Sequence, residues 1–578
     1  MKNIIYIVLL FCLSVNAQVY RSFESFPLEK IYMHKNASLL FVGEYLYYKV
    51  YCLELETNKL SEVSKIAYVE LINMNDKSVF KQKITLENGL GQGDFFIPTE
   101  INSGSYKLIA YTRWMQNNEK VHFFETQLNI INPYKGDQSN VVKNESISLK
   151  NNIKDNSQEF VSETKNTNLS RRYKLITSKE TYEKREKITL QLLNTKEEYG
   201  FGKYSISVRK IDKNLRDENY TAFNFYSDNF NVNSKKTTNS KKIIPEYKGE
   251  LISGRVLDIN SKAINKKVEI AVSIPGDDLF FKIVETDALG EFNVFVDENY
   301  NGDMAVIQLI DKDRNNYQIK IDPQITINYS DITFKPFHIT PKQKEQILKR
   351  SIHNQLENNY FAVKPDSIQL KTVNKYFYRN KEAKVFVLED YKKFETLNDV
   401  FIEIVDPVYK NRDGGKINFK IKEIEDPFNK GIEPLVLFDG VLVQDYKALL
   451  DYSAKTIERI IVTNDKVVSG PETFMGVIAI ESNNSNFNKG KYTEVLMDNP
   501  ELQKKYFHQN YGDSLKVKYS RIPDYRDQLL WEPQIVLNSN KKEFYFYTSD
   551  ISGTFEIVLE GFSAIGEAVS LRKTIEVN

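Results

Sequence analysis

Tyr45–Tyr51 reads YLYYKVY, Ile66–Leu71 reads IAYVEL and Tyr106–Tyr111 reads YKLIAY. Each is short and alternating, and Asn88-Gly89 and Ser103-Gly104 mark turns between them. Short strands punctuated this regularly predict a β-sandwich. The composition carries the β reading further along the chain. Thirty-five Tyr and thirty-five Phe are side chains that fit pleated, half-buried surfaces. A length of 578 residues predicts about four domains.

Around these strands lies a more specific pattern. Glu29–His34 (EKIYMH) leads to Val42-Gly43-Glu44, then to Ala67–Leu71, Ser103–Tyr106, Ala110–Met115 (AYTRWM) and Ile131-Asn132-Pro133. This set resembles a macroglobulin-type domain of exported Bacteroidota proteins, which implies a sandwich over residues 18–134. Macroglobulins that trap proteases through a thioester need a C-G-E-Q-like sequence. Cys52 is followed by Leu53-Glu54-Leu55, so that chemistry is absent.

The first residues set an address. Lys2 is a positive start, Ile4–Leu13 an apolar run, and Val15-Asn16-Ala17 a small-x-small cleavage site, so 1–17 reads as a signal peptide. The apolar run falls short of the roughly 20 residues of a spanning helix, and no later stretch is long enough, so no transmembrane helix is expected in the mature chain. Phe11 before Cys12 argues against a lipid anchor. Cys52 is then alone, which excludes a disulfide within the chain; a buried small hydrophobe in a strand is the expectation. Lys+Arg 79 against Asp+Glu 78 argues against a nucleic-acid partner.

Residues 135–171, rich in Asn, Lys, Ser, Glu and Asp, read as a flexible linker. Ile188–Leu192 and Tyr204–Val208 predict a second, degenerate macroglobulin-like sandwich over 172–245, with Asn214–Lys242 a polar loop. Leu251–Val256 and Thr286–Phe292 (TDALGEF) resemble the carboxypeptidase regulatory-like fold, a transthyretin-like sandwich placed at 246–333. There Asp287 closes its own turn and Gly290 takes φ > 0; a calcium loop through Asp287 and Glu291 would need 6–8 oxygen ligands, more than the cluster supplies. In the connector 334–387, Thr340 and Pro341 predict a helix start. Ile347, Leu348, Ile352, Leu356 and Tyr360 form its apolar stripe, expected to pack in a core.

Pro434–Gly440 reads PLVLFDG, Ile457–Val462 IERIIV and Gly476–Glu481 GVIAIE. Pro434–Phe438 has the continuous apolar character of a strand buried on both faces. Thr396 caps a short helix with Leu397, Phe401 and Ile402 on one face. Ile417–Ile421 (INFKI) alternates as a half-buried strand, and Asp445–Tyr452 reads as a short helix. In order and type these elements resemble the plug domain of TonB-dependent receptors, at 388–490. Fewer than a hundred residues follow, too few for a barrel of some 22 strands of about 9–11 residues each. Arg521–Arg526, Phe544–Tyr547 and Gly553–Val558 predict a closing sandwich at 491–578, similar to the closing domain of the same exported family. The expected fold class is thus mainly β: tandem macroglobulin/transthyretin-like sandwiches plus a small α/β plug-like domain.

Catalytic chemistry is not legible. His34, His122, His338, His353 and His508 are scattered, with no close zinc pair, G-x-S-x-G elbow or P-loop. Gly89–Gly93 reads as a hairpin or bulge. No catalytic, cofactor-binding or metal residue is assigned, and no cofactor. Asp366-Ser367-Ile368 and Asp513-Ser514-Leu515 resemble the O-glycosylation sequon of exported Bacteroidota proteins. The leading expectation is a non-enzymatic scaffold or docking protein of the cell envelope, with protein partners in the outer membrane or periplasm, bound through strand edges and loops. One alternative is a TonB-dependent uptake subunit acting in trans with a separate barrel, although no TonB box precedes the plug. Another is an accessory component of carbohydrate processing or surface export, since Gly553-Thr554-Phe555 resembles part of a sorting domain.

Overall fold

The computed structural model describes residues 26–117, 123–142, 172–195, 201–211, 220–229, 243–297, 300–324, 327–368, 377–413, 416–422, 432–483, 487, 490–512, 519 and 521–578. It is mainly β, with sandwiches in tandem and one small α/β domain. The signal-peptide reading of 1–17, His122, Ser514 and most of the linker reading lie outside the described residues.

The N-terminal sandwich packs a three-stranded sheet (Glu29–Lys35, Tyr45–Glu54, Leu90–Phe96) on a five-stranded one (Leu39–Phe41, Phe124–Ile131, Gly104–Tyr111, Ile66–Ile72, Ser78–Thr85). YLYYKVY divides by parity. Leu46, Tyr48 and Val50 enter the core, and Tyr45 and Tyr47 are half-buried on the other face. Gly93, opposite Tyr48 in the ladder, makes room for that ring: a Cβ there would lie 2.3 Å from the Tyr48 hydroxyl. Cys52 is fully buried in the same core. Glu29 is buried as well, and it accepts hydrogen bonds from Ser61 (2.6 Å), Ser64 (2.6 and 3.0 Å) and Thr112 (2.8 Å). Such a carboxylate is tolerated because its lone pairs are filled.

The next two expected sandwiches are arranged differently. Strands Thr181–Tyr182, Ala568–Val577, Gly553–Ser563, Gly202–Lys210 and Gln528–Leu537 form one five-stranded sheet in that order, and Lys541–Tyr547, Lys187–Asn194 and Tyr173–Thr177 form its partner. One core holds Ile188, Leu190, Tyr204 and Ile206 together with Ile535, Phe555, Ile557 and Leu559. The expected domains at 172–245 and 491–578 are therefore two halves of a single split sandwich. The physical reason is that the early half offers too few strands to cover its own apolar faces.

Nested inside lies the middle sandwich, with sheets of Glu291–Val296, Glu250–Asp258, Tyr317–Ile321 and of Phe280–Glu285, Glu269–Ile274, Met304–Ile310, Tyr492–Leu496. Tyr492–Leu496, expected in the closing domain, pairs antiparallel with Met304–Gln308. The Asp287 turn forms as read: its Oδ1 accepts from the backbone N–H of Leu289 and Glu291, both at 2.8 Å, and Gly290 has φ +79°. Nested within this unit in turn is the α/β domain, whose sheet runs Lys384–Val387, Ile457–Ser469, Glu472–Ser482, Leu435–Phe438, Val441–Leu442. Leu435–Phe438 is buried along its whole length and parallel to Val477–Ile480. The helices Leu397–Glu403 and Tyr446–Leu450 cover one face, with Val436, Phe438 and Ile480 beneath them. The other face, Leu435, Leu437, Ile461 and Ala479, packs on Ala271, Leu279 and Ile283 of the middle sandwich.

Three smaller expectations are corrected. Thr396 caps its helix through Asp399 N, but Leu397, Val400 and Phe401 are the buried residues, while Ile402 is exposed because it lies on the outer side of a helix of two turns. Within the expected loop 214–242, Ala222–Asn229 is a helix whose Ala222 and Phe225 enter the N-terminal core. Within the expected linker, Val141 is buried and its carbonyl accepts from Ile339 N at 2.7 Å. Residues 172–245 expressed alone are expected to show no dispersed amide spectrum and no cooperative melt, whereas addition of a 521–578 fragment restores both; a folded 172–245 fragment refutes the shared core.

Candidate functional site

Helix Lys344–Asn359 decides where the site lies, and only part of its apolar stripe packs inward: Ile347 lies against Leu39, Phe41 and Ile131, and Leu356 and Tyr360 are half-buried. Arg350, Ser351 and His353 are its buried residues, whereas Leu348 and Ile352 are 59% and 47% exposed. The cause is electrostatic. Glu44 is fixed in a turn of the N-terminal sandwich and out of water, so it needs cations. Arg350 reaches it from the helix with two bonds of 2.8 Å, and Arg209 of the split sandwich adds a third at 2.8 Å. Burial alone would raise the Glu44 carboxyl, but the two guanidinium groups prevail and hold it down to about 2. Asn354 and Asn358 then donate to the carbonyls of Val42 and Gly43 at 2.8 and 3.0 Å. The helix is thus seated by its polar side across the joint between two sandwiches.

A cleft opens beside this joint and encloses about 170 Å³. Five separate segments build it: Gly43–Tyr47, Arg209, Asn354–Asp366, Tyr506-Phe507 and Tyr525–Trp531. Its wall is a ladder of near-parallel rings. Phe361 stacks on Tyr45 (centroids 5.8 Å, 12°), Tyr45 on Tyr47 (5.7 Å, 12°) and Tyr47 on Trp531 (6.1 Å, 21°). Tyr506 meets Tyr47 edge-on at 5.0 Å. The charges around it are largely spent on one another: Lys364 binds Glu357 at 2.6 Å and Arg526 binds Asp524 at 2.6 and 2.7 Å. Asp366 accepts from Phe507 N at 2.8 Å, and burial raises its carboxyl. Burial likewise raises Asp527, to about 6, against the pull of Arg350.

Behind Trp531 stands His34, with ring centroids 5.1 Å apart, and beyond His34 a second cavity of about 110 Å³ touches Lys35, Arg209, Arg350, Glu560 and Arg572. His34 Nδ1 lies 2.7 Å from Ser205 Oγ, which also meets Tyr51 at 2.9 Å. A histidine beside a serine is the outline of an activated nucleophile. Here both are buried, and burial lowers the imidazole to about 3, so at neutral pH this is an interior hydrogen bond closed to substrate. Glu560, also buried, accepts from Ser570 (2.7 Å), Ala222 N (2.8 Å) and Tyr32 (3.2 Å), and burial raises it to about 7. Among the described residues no group of three or more His, Cys, Asp or Glu is disposed to hold a metal.

The arrangement is a cleft walled by aromatic rings and by charges largely paired with one another. The sequence assigned no site residue, and the cleft is assembled from segments up to 488 residues apart, from Gly43 to Trp531. One signal was present: in YLYYKVY the parity that buries Leu46 and Tyr48 sends Tyr45 and Tyr47 outward together. Ser367 of the sequon-like Asp366-Ser367-Ile368 is exposed at the cleft's edge, in a strand pair with Lys504-Lys505.

No protein-family model matches the chain, and no curated protein matches it. Among solved structures, Escherichia coli alpha-2-macroglobulin activated by porcine elastase aligns with 95% of this chain and 44% of its own, at 7% identity and a TM-score of 0.24. Salmonella alpha-2-macroglobulin reacted with methylamine aligns over 96% and 40%, at 8% identity and a TM-score of 0.24. The Yersinia pseudotuberculosis adhesin InvE aligns over 50% and 57%, at 9% identity and a TM-score of 0.13. The chain spans less than half the length of the two macroglobulins.

Arg350→Ala leaves Glu44 buried with half its partners, so a loss of about 3–5 kcal/mol in denaturant unfolding is expected; a loss below 1 kcal/mol would show that the helix is not seated by this pair. Glu560, raised from an ordinary 4.5 to about 7, keeps a proton in the folded state that the unfolded chain releases between those values. Stability therefore falls as pH rises through that window. Glu246, raised by burial to about 7, acts in the same sense. Glu560→Gln should flatten the profile by up to about 1.4 kcal/mol per pH unit between 4.5 and 7 and leave stability below that window unchanged; an unaltered slope in urea titrations across this range contradicts the assignment.

Proposed function

We propose that this chain is a non-enzymatic scaffold or docking protein of the cell envelope, exported and associated with protein partners of the outer membrane or periplasm. In this reading the N-terminal sandwich is of macroglobulin type, the middle one of carboxypeptidase regulatory type and the α/β domain of TonB-receptor plug type, as in exported Bacteroidota proteins. The observation that carries the reading is how the α/β sheet is covered. Two helices take one face and the middle sandwich takes the other, so edges and loops are what it offers to a partner. Lys384–Val387 is such an edge, paired on one side to Arg459–Val462, with Val385 52% exposed. Strand edges recruit partners by main-chain pairing.

The same packing weighs against the α/β domain acting as a plug inside a separate barrel. Its hairpin of Ile457–Ser469 and Glu472–Ser482 reaches the middle sandwich, where Ile283 N donates to Ser469 Oγ at 2.8 Å and a Cβ on Gly470 would lie 1.9 Å from the Ile283 carbonyl. Withdrawal into a pore would uncover Ile283, Leu279 and Leu437 at once. Photo-crosslinking from position 385 in intact cells is expected to trap one recurrent envelope protein, with no adduct from a probe at exposed Tyr545 on the far sandwich. Recovery of free monomer alone from both positions defeats the docking reading.

A further inference from the structure

The cleft between the Lys344–Asn359 helix and the two sandwiches has the build of a ligand site, independent of the docking reading. Its rings descend from rim to floor: Phe361 is 47% exposed, Tyr45 and Tyr47 are half-buried, and Trp531 is 3% exposed. A ligand therefore enters end-on past Phe361 and runs along the edges of the rings stacked behind it. The enclosed volume of about 170 Å³ compares with the roughly 150 Å³ that accommodates a benzene ring, so one six-membered ring fits and a second remains outside.

The lining selects the chemistry of that ring. Glu44 engages Arg209 and Arg350, Glu357 engages Lys364, and Asp524 engages Arg526. An anion would have to break one of these pairs and approach Asp366 and Asp527, which share the wall. A plain hydrocarbon would seal Asp366 from water and offer it no donor, which is costly. A neutral ring with an apolar face and several hydroxyls meets both demands: its C–H face lies against Phe361, the outermost and most exposed ring of the ladder, and its hydroxyls donate to Asp366 and exchange hydrogen bonds with the tyrosine hydroxyls. We propose that this cleft binds a single pyranose ring, either a free hexose or the terminal sugar of a glycan.

The protein carries its own reporter. It has two tryptophans, Trp114 and Trp531. Trp114 is buried in the N-terminal sandwich with its Nε1–H donated to the Pro27 carbonyl at 2.8 Å, so in a Trp114→Phe protein the emission comes from the cleft. Titration of the full chain with glucose, galactose, mannose and N-acetylglucosamine, each as reducing sugar and as methyl glycoside, should give a saturable emission change with at least one. Equal response to the methyl glycoside identifies a glycan terminus, and response to the reducing sugar alone identifies a free hexose. Phe361→Ala and Asp366→Asn should each weaken binding about tenfold with an unchanged thermal midpoint; Phe361 is exposed enough for its truncation to leave the fold intact. Absence of a saturable change with every sugar, equal affinity in both variants, or a response to arginine but to no sugar overturns the proposal.

Discussion

Strand Gly553–Ser563 hydrogen-bonds on one side to Gly202–Lys210 and on the other to Ala568–Val577. Gly202–Lys210 also pairs with Gln528–Leu537, so the chain leaves this sheet at residue 210 and re-enters it at 528, and within that excursion Met304–Gln308 and Tyr492–Leu496 make a second closure. Closing a long loop is less costly than its length suggests, because the entropy grows only with the logarithm of length. What the closure imposes is geometry. It brings Arg209 and Trp531 to the same joint as Glu44, and the cleft exists because three chain segments far apart in sequence are pinned there.

The joint is held by apolar contact, with Phe562 and Ala568 of the split sandwich entering the N-terminal core, and by charge. Glu44, Arg209, Arg350 and Asp527 come from the N-terminal sandwich, the split sandwich and the helix that bridges them. Buried ion pairs contribute little net stability but penalise every arrangement that leaves one member alone. Such a cluster therefore fixes the relative placement of the two sandwiches, and the aromatic ladder keeps its spacing as a result. Lys83 and Glu250, paired and buried between the N-terminal and middle sandwiches, do the same at another contact.

The strands were legible because pattern is a local property: the alternation of YLYYKVY and INFKI states which residues turn inward whatever lies opposite, and the unbroken apolar run of PLVLF states burial on both faces. The Asp287 turn was legible for the same reason, as a single glycine with φ of +79° at Gly290 marks it. Partnership was not legible. Ile188–Leu192 reads as a strand whether its neighbour is 20 or 350 residues away, so the local pattern does not distinguish one split sandwich from two separate ones. The bridging helix misled in a sharper way. Its stripe follows the usual amphipathic rule, but the pull of Glu44 on Arg350 rotates the helix so that Ile347 packs inward while Leu348 and Ile352 stay exposed. The cleft, made of residues from five segments far apart in the chain, had only the outward pair Tyr45 and Tyr47 to announce it.

The nested order also sets a schedule. Strand Gly202–Lys210 leaves the ribosome roughly 320 residues before Gln528–Leu537, its neighbour in the sheet. At about 5–20 residues per second, the early half waits some sixteen seconds to a minute with its edges unpaired. During that interval the N-terminal sandwich can close by itself, since its strands all lie between residues 29 and 131, while the half-sheet beside it is open to any passing strand. A chain built this way depends on reaching its last fifty residues quickly, or on a chaperone that occupies the edge until they arrive.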